Sequence, residues 1–419
     1  MSKRCPKYRL IPIRSLIVNS TDSGGGAANA AMSLHTALTS VGVDSHVAVK
    51  HRTLVNNPKV HQIPAGNALA DRVLNAITFR LGWDGISGTA SYKLLQQEYF
   101  RNADVINLHV LHGGYFNYLA VGKMAQIKPV VLTLHDMWHF TGHCVYSMDC
   151  ERWKTGCGTC PYPETYPGIQ RDSTAFNWKK KKKVFDRPDI HVIAISSWME
   201  DLVKQSLLGD LPLHRIPNGI NTEVYHPQDK AMVRQKLGLP SDKTLILYCA
   251  SDISDRRKGA DLLLDSLKLL NEQNRRSMML LVMGNASDSL RESLSVECRY
   301  LGFLTDDREK SEVFSACDVL AFPTRADNLP VVIQEALGCG VPCISFDVGG
   351  VRDMVRPGST GWLCPPESTS DFAAALRDAI VQPDLLTEMS RKCREVACDE
   401  YGLHRQGASY KQLFNKLAS

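Results

Sequence analysis

No apolar run among the 419 residues approaches the roughly 20 that a helix needs to cross a bilayer, so no transmembrane helix is expected. A secretory leader is not expected either. The basic start with Lys3, Arg4 and Lys7 precedes an apolar run that is too short and is broken by Pro12 and Arg14. The chain therefore reads as cytoplasmic. A strong charge imbalance is lacking too. A net charge of +5 is compatible with an anionic substrate or an anionic membrane surface, and nothing in it calls for a nucleic acid.

What is present is a globular composition, 44% hydrophobic and 22% charged, in a chain too long for one ordinary core. Two domains are expected. Cysteines such as Cys249, Cys317, Cys339, Cys343 and Cys364 stand singly in apolar surroundings, which suits buried, reduced thiols.

Residues Tyr8–Ser20 read as a first strand, followed by Gly24, Gly25 and Gly26 and a helix over Ala27–Val41. Three glycines before a helix N-terminus can turn backbone N–H groups toward an anion, although the run is neither G-x-G-x-x-G nor a Walker A sequence. Val43–Val49, Asp104–His109, Pro129–Leu134 and His191–Ile195 read as further strands, and Asn67–Phe100 as broken helix. Two strands thus deliver His109 and His135 to their carboxyl ends, where ligands bind in open α/β sheets. Pro217–Asn218–Gly219 marks a boundary, after which the alternation restarts: strand Thr244–Ala250, helix Lys258–Asn271, strand Met278–Met283, strand Tyr300–Phe303.

The stretch Asp318–Gly350 organises the second half. It reads as strand Asp318–Phe322, turn, helix Leu329–Leu337 with Asn328 as N-cap, and strand Cys343–Phe346. Asp327 lies in the first loop. Glu335 sits among Val331, Val332, Ile333, Ala336 and Leu337, where a carboxylate needs a hydrogen-bonding protein group or a ligand diol. The expected fold is α/β, with two Rossmann-like domains facing a cleft: 1–217, with a cysteine-rich insert at 139–162; 218–400; and a last helix at 401–419 that packs back on the first domain.

Two stretches stand outside that alternation. Cys144, Cys150, Cys157 and Cys160 close with a C-x-x-C, which is the spacing of a structural zinc site, with disulfides or free thiols as the competing accounts. Trp178–Lys183 (WKKKKK) is either a solvated helix face or a patch for anionic lipid or a lipid-diphosphate acceptor, with Trp178 at the interface.

The motifs IPNGI, RKG, the Asp327–Glu335 stretch and GG-x-x-D followed by TGWL resemble the retaining, nucleotide-sugar-dependent glycosyltransferases of family four, which have the GT-B fold. The segment HDMWHFTGHCVYSMDC resembles the subgroup of bacterial capsular, exopolysaccharide and colanic-acid-type assembly. The resemblance implies a nucleoside diphosphate-sugar on the C-terminal domain and a glycan or polyprenyl-diphosphate-linked acceptor on the N-terminal one. Arg257 and Lys258 would meet the diphosphate, Glu335 the ribose hydroxyls and Asp327 the donor sugar. Gly349 and Gly350 would cradle phosphate or sugar, and Gly24–Gly26 would approach the same phosphates. His109 would lie near the reacting sugar, with His135 as a second cleft histidine. His109, Asp327 and Lys258 are the expected catalytic set, with no obligatory metal or other cofactor. The enzyme could work peripherally on the inner face of the membrane. Asp327 stands where the family usually has Glu. Asp252 stands where it usually has Arg, a charge that Arg256 or Arg325 could supply. Rival readings are a nucleotide-sugar epimerase on the same fold and a non-catalytic nucleotide-sugar or glycan-binding protein. A glycoside hydrolase would leave the RKG and glycine loops unused.

Overall fold

A computed structural model describes residues 12–252, 255–285 and 296–419, without the side chains of 251 and 252. Two parallel sheets carry the chain. The first has the order β3-β2-β1-β4-β5-β6-β7: Val60–Gln62, Asp44–His51, Arg14–Thr21, Val105–Leu108, Val130–Leu134, Ile190–Ala194 and Leu213–Arg215. The second has the order β10-β9-β8-β11-β12-β13: Cys298–Gly302, Met278–Asn285, Thr244–Asp252, Val319–Phe322, Cys343–Phe346 and Gly361–Cys364. Every pairing within the two sheets is parallel, so each connection must cross over, mostly through a helix. The central strands β4, β5, β11 and β12 are buried throughout, as their largely apolar sequences require, and the polar residues within them, Asn107, Thr133 and Ser345, are hydrogen-bonded.

Both halves share one core. It runs from Ile17, Leu34 and Val47 through Ile216, Ile220 and Tyr225 to Leu281, Leu320 and Ile333, and includes Tyr410, Leu413 and Phe414. Those last three lie on the final helix, Leu403–Leu417, which packs against the helix Gly26–Ser40. Gly407 is required there, because a Cβ would stand 2.3 Å from Ala37 O. Among the described residues no helix is long and apolar enough to cross a membrane.

Several boundaries differ from the sequence reading. The first strand is Arg14–Thr21 rather than Tyr8–Ser20, with residues 8–11 outside the described part. The helix expected from Lys258 begins at Ala260, because Gly259 takes φ 69° and a Cβ there would meet Pro323 O at 1.8 Å. Asn328 does not cap the next helix. Pro330 is the N-cap of Val331–Gly338, and the Asn328 side chain is used between domains. The edge strands β3 and β13 were not anticipated, being short and only partly apolar.

The lysine run forms the helix Thr174–Phe185, but it is not uniformly solvated and Trp178 is not at an interface with lipid. Trp178 is buried and donates Nε1–H to Trp153 O (2.8 Å). Lys181 is fully buried, donating to Trp138 O (2.5 Å) and Thr141 O (3.1 Å) beneath the Trp138 ring. Burial lowers its pKa to about 8, against the pull of Asp84. Helical periodicity explains the split, since Thr174, Asn177, Trp178, Lys181 and Phe185 share one inward face.

Candidate active site

The carboxyl ends of β8, β11 and β12 bring together the turn Asp255–Gly259, the loop Pro323–Leu329 and the turn Asp347–Gly350. Asp327 lies at their meeting point. Its Oδ2 accepts from Lys258 Nζ (2.8 Å) and Thr324 Oγ1 (2.8 Å), and its Oδ1 from Arg257 Nη1 (3.2 Å). Burial opposes its ionisation, but Lys258 and Arg257 outweigh burial and hold the carboxyl below its ordinary range. Arg257 also donates to Ala326 O (3.0 Å) and Asp255 Oδ2 (3.1 Å). Arg257 and Lys258 thus stand side by side, charge-matched by the carboxylates of Asp327 and Asp255.

Gly349 and Gly350 support this loop from behind. Gly349 has φ 55°, and a Cβ on it would stand 1.9 Å from Asp327 O. A Cβ on Gly350 would meet Asn328 O at 1.9 Å and the Ser196 side chain at 2.6 Å. The two glycines let backbone approach backbone where Asp327 is held.

Arg325 is not available as the replacement phosphate ligand that the sequence allowed. It donates to both oxygens of Asp261 (2.8 and 2.7 Å) and to Arg256 O (2.7 Å), with Glu367 3.3 Å from its Nε. Arg256 is exposed. The side chain of Asp252 lies outside the described residues.

Glu335 is buried and accepts from the Tyr225 hydroxyl at 3.0 Å, and the same hydroxyl lies 2.8 Å from Asp307 Oδ1. Burial pushes its carboxyl up to about 7, against Lys310 and the Tyr225 bond, with Asp307 adding to the rise. Sequence placed the glutamate but not Tyr225 or Lys310, which come from segments far off in the chain.

Across the cleft, the glycine loop precedes the helix Gly26–Ser40. Gly24 and Gly25 have φ 76° and 111°, with open space where their Cβ atoms would be. The helix has no side-chain cap, so its first N–H groups are open to an anion. Asp22 anchors the loop by accepting from Thr53 N (2.9 Å), Thr53 Oγ1 (2.7 Å) and Leu54 N (2.9 Å).

His109 and His135 are in contact, Nδ1 to Nε2 at 2.8 Å. His109 is buried and His135 half-buried. Thr133 Oγ1 donates to Asn107 Oδ1 (2.9 Å), so Asn107 Nδ2 donates to His109 Nε2 (3.1 Å). His109 then donates from Nδ1 to His135 Nε2, which leaves the His135 proton on Nδ1. Tyr410 OH, on the final helix, lies 3.1 Å from Thr133 Oγ1 and closes the chain. Burial depresses both imidazoles, His135 to about 4 and His109 well below the usual range, so both are neutral at pH 7.

Sequence reasoning missed a second pair. His112 Nε2 lies 2.8 Å from Asp136 Oδ2, and Asp136 Oδ1 accepts Trp138 N–H (2.9 Å). The remaining His112 nitrogen, Nδ1, lies 3.4 Å from the hydroxyl of Tyr166, whose ring is exposed. Both residues were visible after strand ends. Their pairing depends on a fold contact across 24 positions.

The two domains touch through this cleft. Asn328 Nδ2 donates to Leu134 O and His135 O (both 3.1 Å), and Ser196 Oγ donates to Asn328 Oδ1 (2.5 Å). Tyr146, from the cysteine-rich insert, lies under the Arg257 guanidinium, 5.6 Å from its ring centroid.

Cys144, Cys150, Cys157 and Cys160 line one cavity of about 20 Å³, with His143 Nε2 3.4 Å from Cys160 Sγ. All four thiols are free, and among the described residues no group of three or more His, Cys, Asp or Glu is arranged to hold a metal ion.

The chain matches the family model described as Glycosyltransferase Family 4 over residues 24–224 and the one described as Glycosyl transferases group 1 over residues 229–396. It is 28% identical over 410 residues to a protein of Escherichia coli (strain K12) named as a colanic acid biosynthesis glycosyl transferase, WcaC, covering 93% of this chain and 97% of that one. Among solved structures it is similar to sucrose-phosphate synthase from Thermosynechococcus elongatus, with a TM-score of 0.70, 20% identity and coverage of 97% of this chain and 99% of that one. It is also similar to Anabaena HepE in complex with UDP-glucose, with a TM-score of 0.68, 16% identity and coverage of 97% and 100%. At such identities the structural likeness establishes the fold.

Proposed function

The chain belongs to the glycosyltransferases with two facing Rossmann-like domains, and from that premise we propose that it moves a sugar, with retention, from a nucleoside diphosphate-sugar to a glycan or lipid-linked glycan in cell-surface polysaccharide assembly. The observation that carries the reading is the Asp327 carboxylate held jointly by Lys258 and Arg257 at the mouth of the cleft. A diphosphate leaving group needs positive charge as its bond to the sugar breaks. In this account Lys258 and Arg257 turn from Asp327 to the diphosphate, and the freed carboxylate faces the donor sugar. Glu335 takes the ribose hydroxyls in its ionised form. The uncapped helix behind Gly24–Gly26 meets the phosphates from the other side. His135, its tautomer set through His109, donates from Nδ1.

The acceptor hydroxyl approaches the face from which the diphosphate departs, and a phosphate oxygen takes its proton. On the acceptor side the proposal uses His112. Asp136 accepts its Nε2–H, so Nδ1 is a hydrogen-bond acceptor for a sugar hydroxyl in the place now taken by Tyr166 OH. The similar proteins support the substrate classes: WcaC is named for colanic acid biosynthesis, and HepE was solved with UDP-glucose.

The test is incubation with a panel of nucleoside diphosphate-sugars, with and without glycan acceptors, resolving nucleotide, sugar and product. Acceptor-dependent release of the diphosphate supports transfer. Appearance of an isomeric nucleotide-sugar without acceptor supports an epimerase instead. Tight donor binding with neither outcome across the panel supports a binding protein.

A further inference from the structure

The helix Ala68–Leu81 has fourteen residues and buries only Thr78. Its ends are fixed. Asn67 caps it by accepting from Ala70 N–H (3.0 Å), Asp71 Oδ1 accepts Thr89 N–H (2.7 Å), and Gly82 closes it at φ 65°. Its flank is bare. Leu69, Val73 and Ile77, spaced by four and so on one stripe, are 75%, 51% and 46% exposed, and Leu74 and Phe79 are exposed too. A lone helix of this length is marginal in water, and most helices gain their stability by burying an apolar face. Five large apolar side chains on one helix also exceed the usual scatter of single surface residues.

The lysine-rich helix Thr174–Phe185 abuts its end. Ser173 Oγ donates to Leu81 O (2.6 Å), Asn177 Nδ2 donates to Gly82 O (2.9 Å), and Trp83 stacks on Phe176 at 4.9 Å. With Lys181 and Trp178 turned inward, Lys179, Lys180, Lys182 and Lys183 remain exposed, and Arg72 and Arg80 add two cations on the apolar helix itself. A bare apolar stripe beside six exposed cations is a pattern that matches acyl chains and anionic headgroups together. A second copy docked face to face would set six like charges against six.

We propose that this face docks on an anionic lipid bilayer, with Leu69, Val73 and Ile77 entering the headgroup–acyl boundary and the lysines at the headgroups. The inference stands apart from the catalytic reading, since it uses none of the cleft residues.

The test is flotation of the full chain with vesicles of phosphatidylcholine alone and of phosphatidylcholine mixed with phosphatidylglycerol. The native chain is expected to float with the anionic vesicles. The double variant Val73→Glu/Ile77→Glu, at exposed positions, should lose at least about tenfold in partitioning, since placing charge in the apolar stripe costs more than 1.4 kcal/mol. The variant with Lys179, Lys180, Lys182 and Lys183 changed to Glu should lose the preference for anionic vesicles. Equal flotation of the native chain and the first variant, no flotation of the native chain, or a native dimer that Val73→Glu/Ile77→Glu dissociates would each overturn the proposal.

Discussion

Lys258 Nζ stands 2.8 Å from Asp327 Oδ2, so the lysine charge is committed to the protein until a ligand competes for it. Asp327 is thus both a counter-ion and, in the proposed function, a contact of the donor sugar. Asp327→Ala should destabilise the chain by about 3 kcal/mol, because Lys258 and Arg257 lose a partly buried partner. Asp327→Asn should fold and still transfer sugar at a rate lowered by about 10- to 100-fold, the worth of a charge-assisted hydrogen bond. Complete loss of transfer with donor affinity intact would argue for a covalent role and against front-face attack.

Glu335 gives a prediction with a defined pH window. Its folded-state pKa of about 7 lies above the ordinary 4.5, so the native state binds more protons between those values and stability falls as pH rises through them. The contribution is up to about 3 kcal/mol, from 1.36 kcal/mol per unit. Glu335→Gln should flatten that part of the stability profile measured by urea unfolding at pH 5, 6 and 7.5. In native protein, nucleotide affinity should rise with pH through about 7, and the variant should bind weakly at every pH. Parallel stability profiles for the two proteins would contradict the assignment.

His135 carries the opposite sign. Its folded pKa of about 4 lies below the unfolded 6.5, so its contribution is present above pH 6.5 and is lost as pH falls toward 4. His135→Gln should soften acid unfolding in that window and lower the transfer rate more than it changes donor affinity. His109→Phe leaves Asn107 Nδ2 and His135 Nε2 without their partner, which should cost about 1–3 kcal/mol in stability. Circular dichroism against pH and steady-state kinetics read both.

Asn328 offers a purely mechanical test. Its side chain bonds Leu134 O, His135 O and Ser196 Oγ across the cleft, so Asn328→Ala removes the clasp without touching a cation. The radius of gyration from small-angle scattering should increase relative to the native chain. An unchanged radius would show that the core shared through Ile220 and Tyr410, with the Ser197–Asp353 hydrogen bonds, holds the domains together without Asn328.

The parallel alternation was legible because buried strands such as Val319–Phe322 are apolar without interruption, and Val130–Leu134 is apolar but for Thr133. Asp327, Glu335, Lys258 and the two histidines were legible because they sit at strand ends or break an apolar helix. What escaped notice was pairing. Nothing local tells that Asn328 reaches the other domain, that Tyr225 hydrogen-bonds Glu335, or that His112 finds Asp136. The lysine run misled for a related reason: a string of identical charges hides which member the helix turns inward, and here Lys181 is that member.

In the proposed function Lys258 exchanges Asp327 for the diphosphate of a nucleotide-sugar. Thermal unfolding of the native chain and of Lys258→Ala, each with a panel of nucleoside diphosphate-sugars, tests it most directly. A ligand at a hundred times its dissociation constant should add about 2.7 kcal/mol of stability to the native chain. Loss of most of that gain in Lys258→Ala, at the same ligand concentration, is the predicted result. The same gain in both proteins, or none in the native chain for any member of the panel, would contradict it.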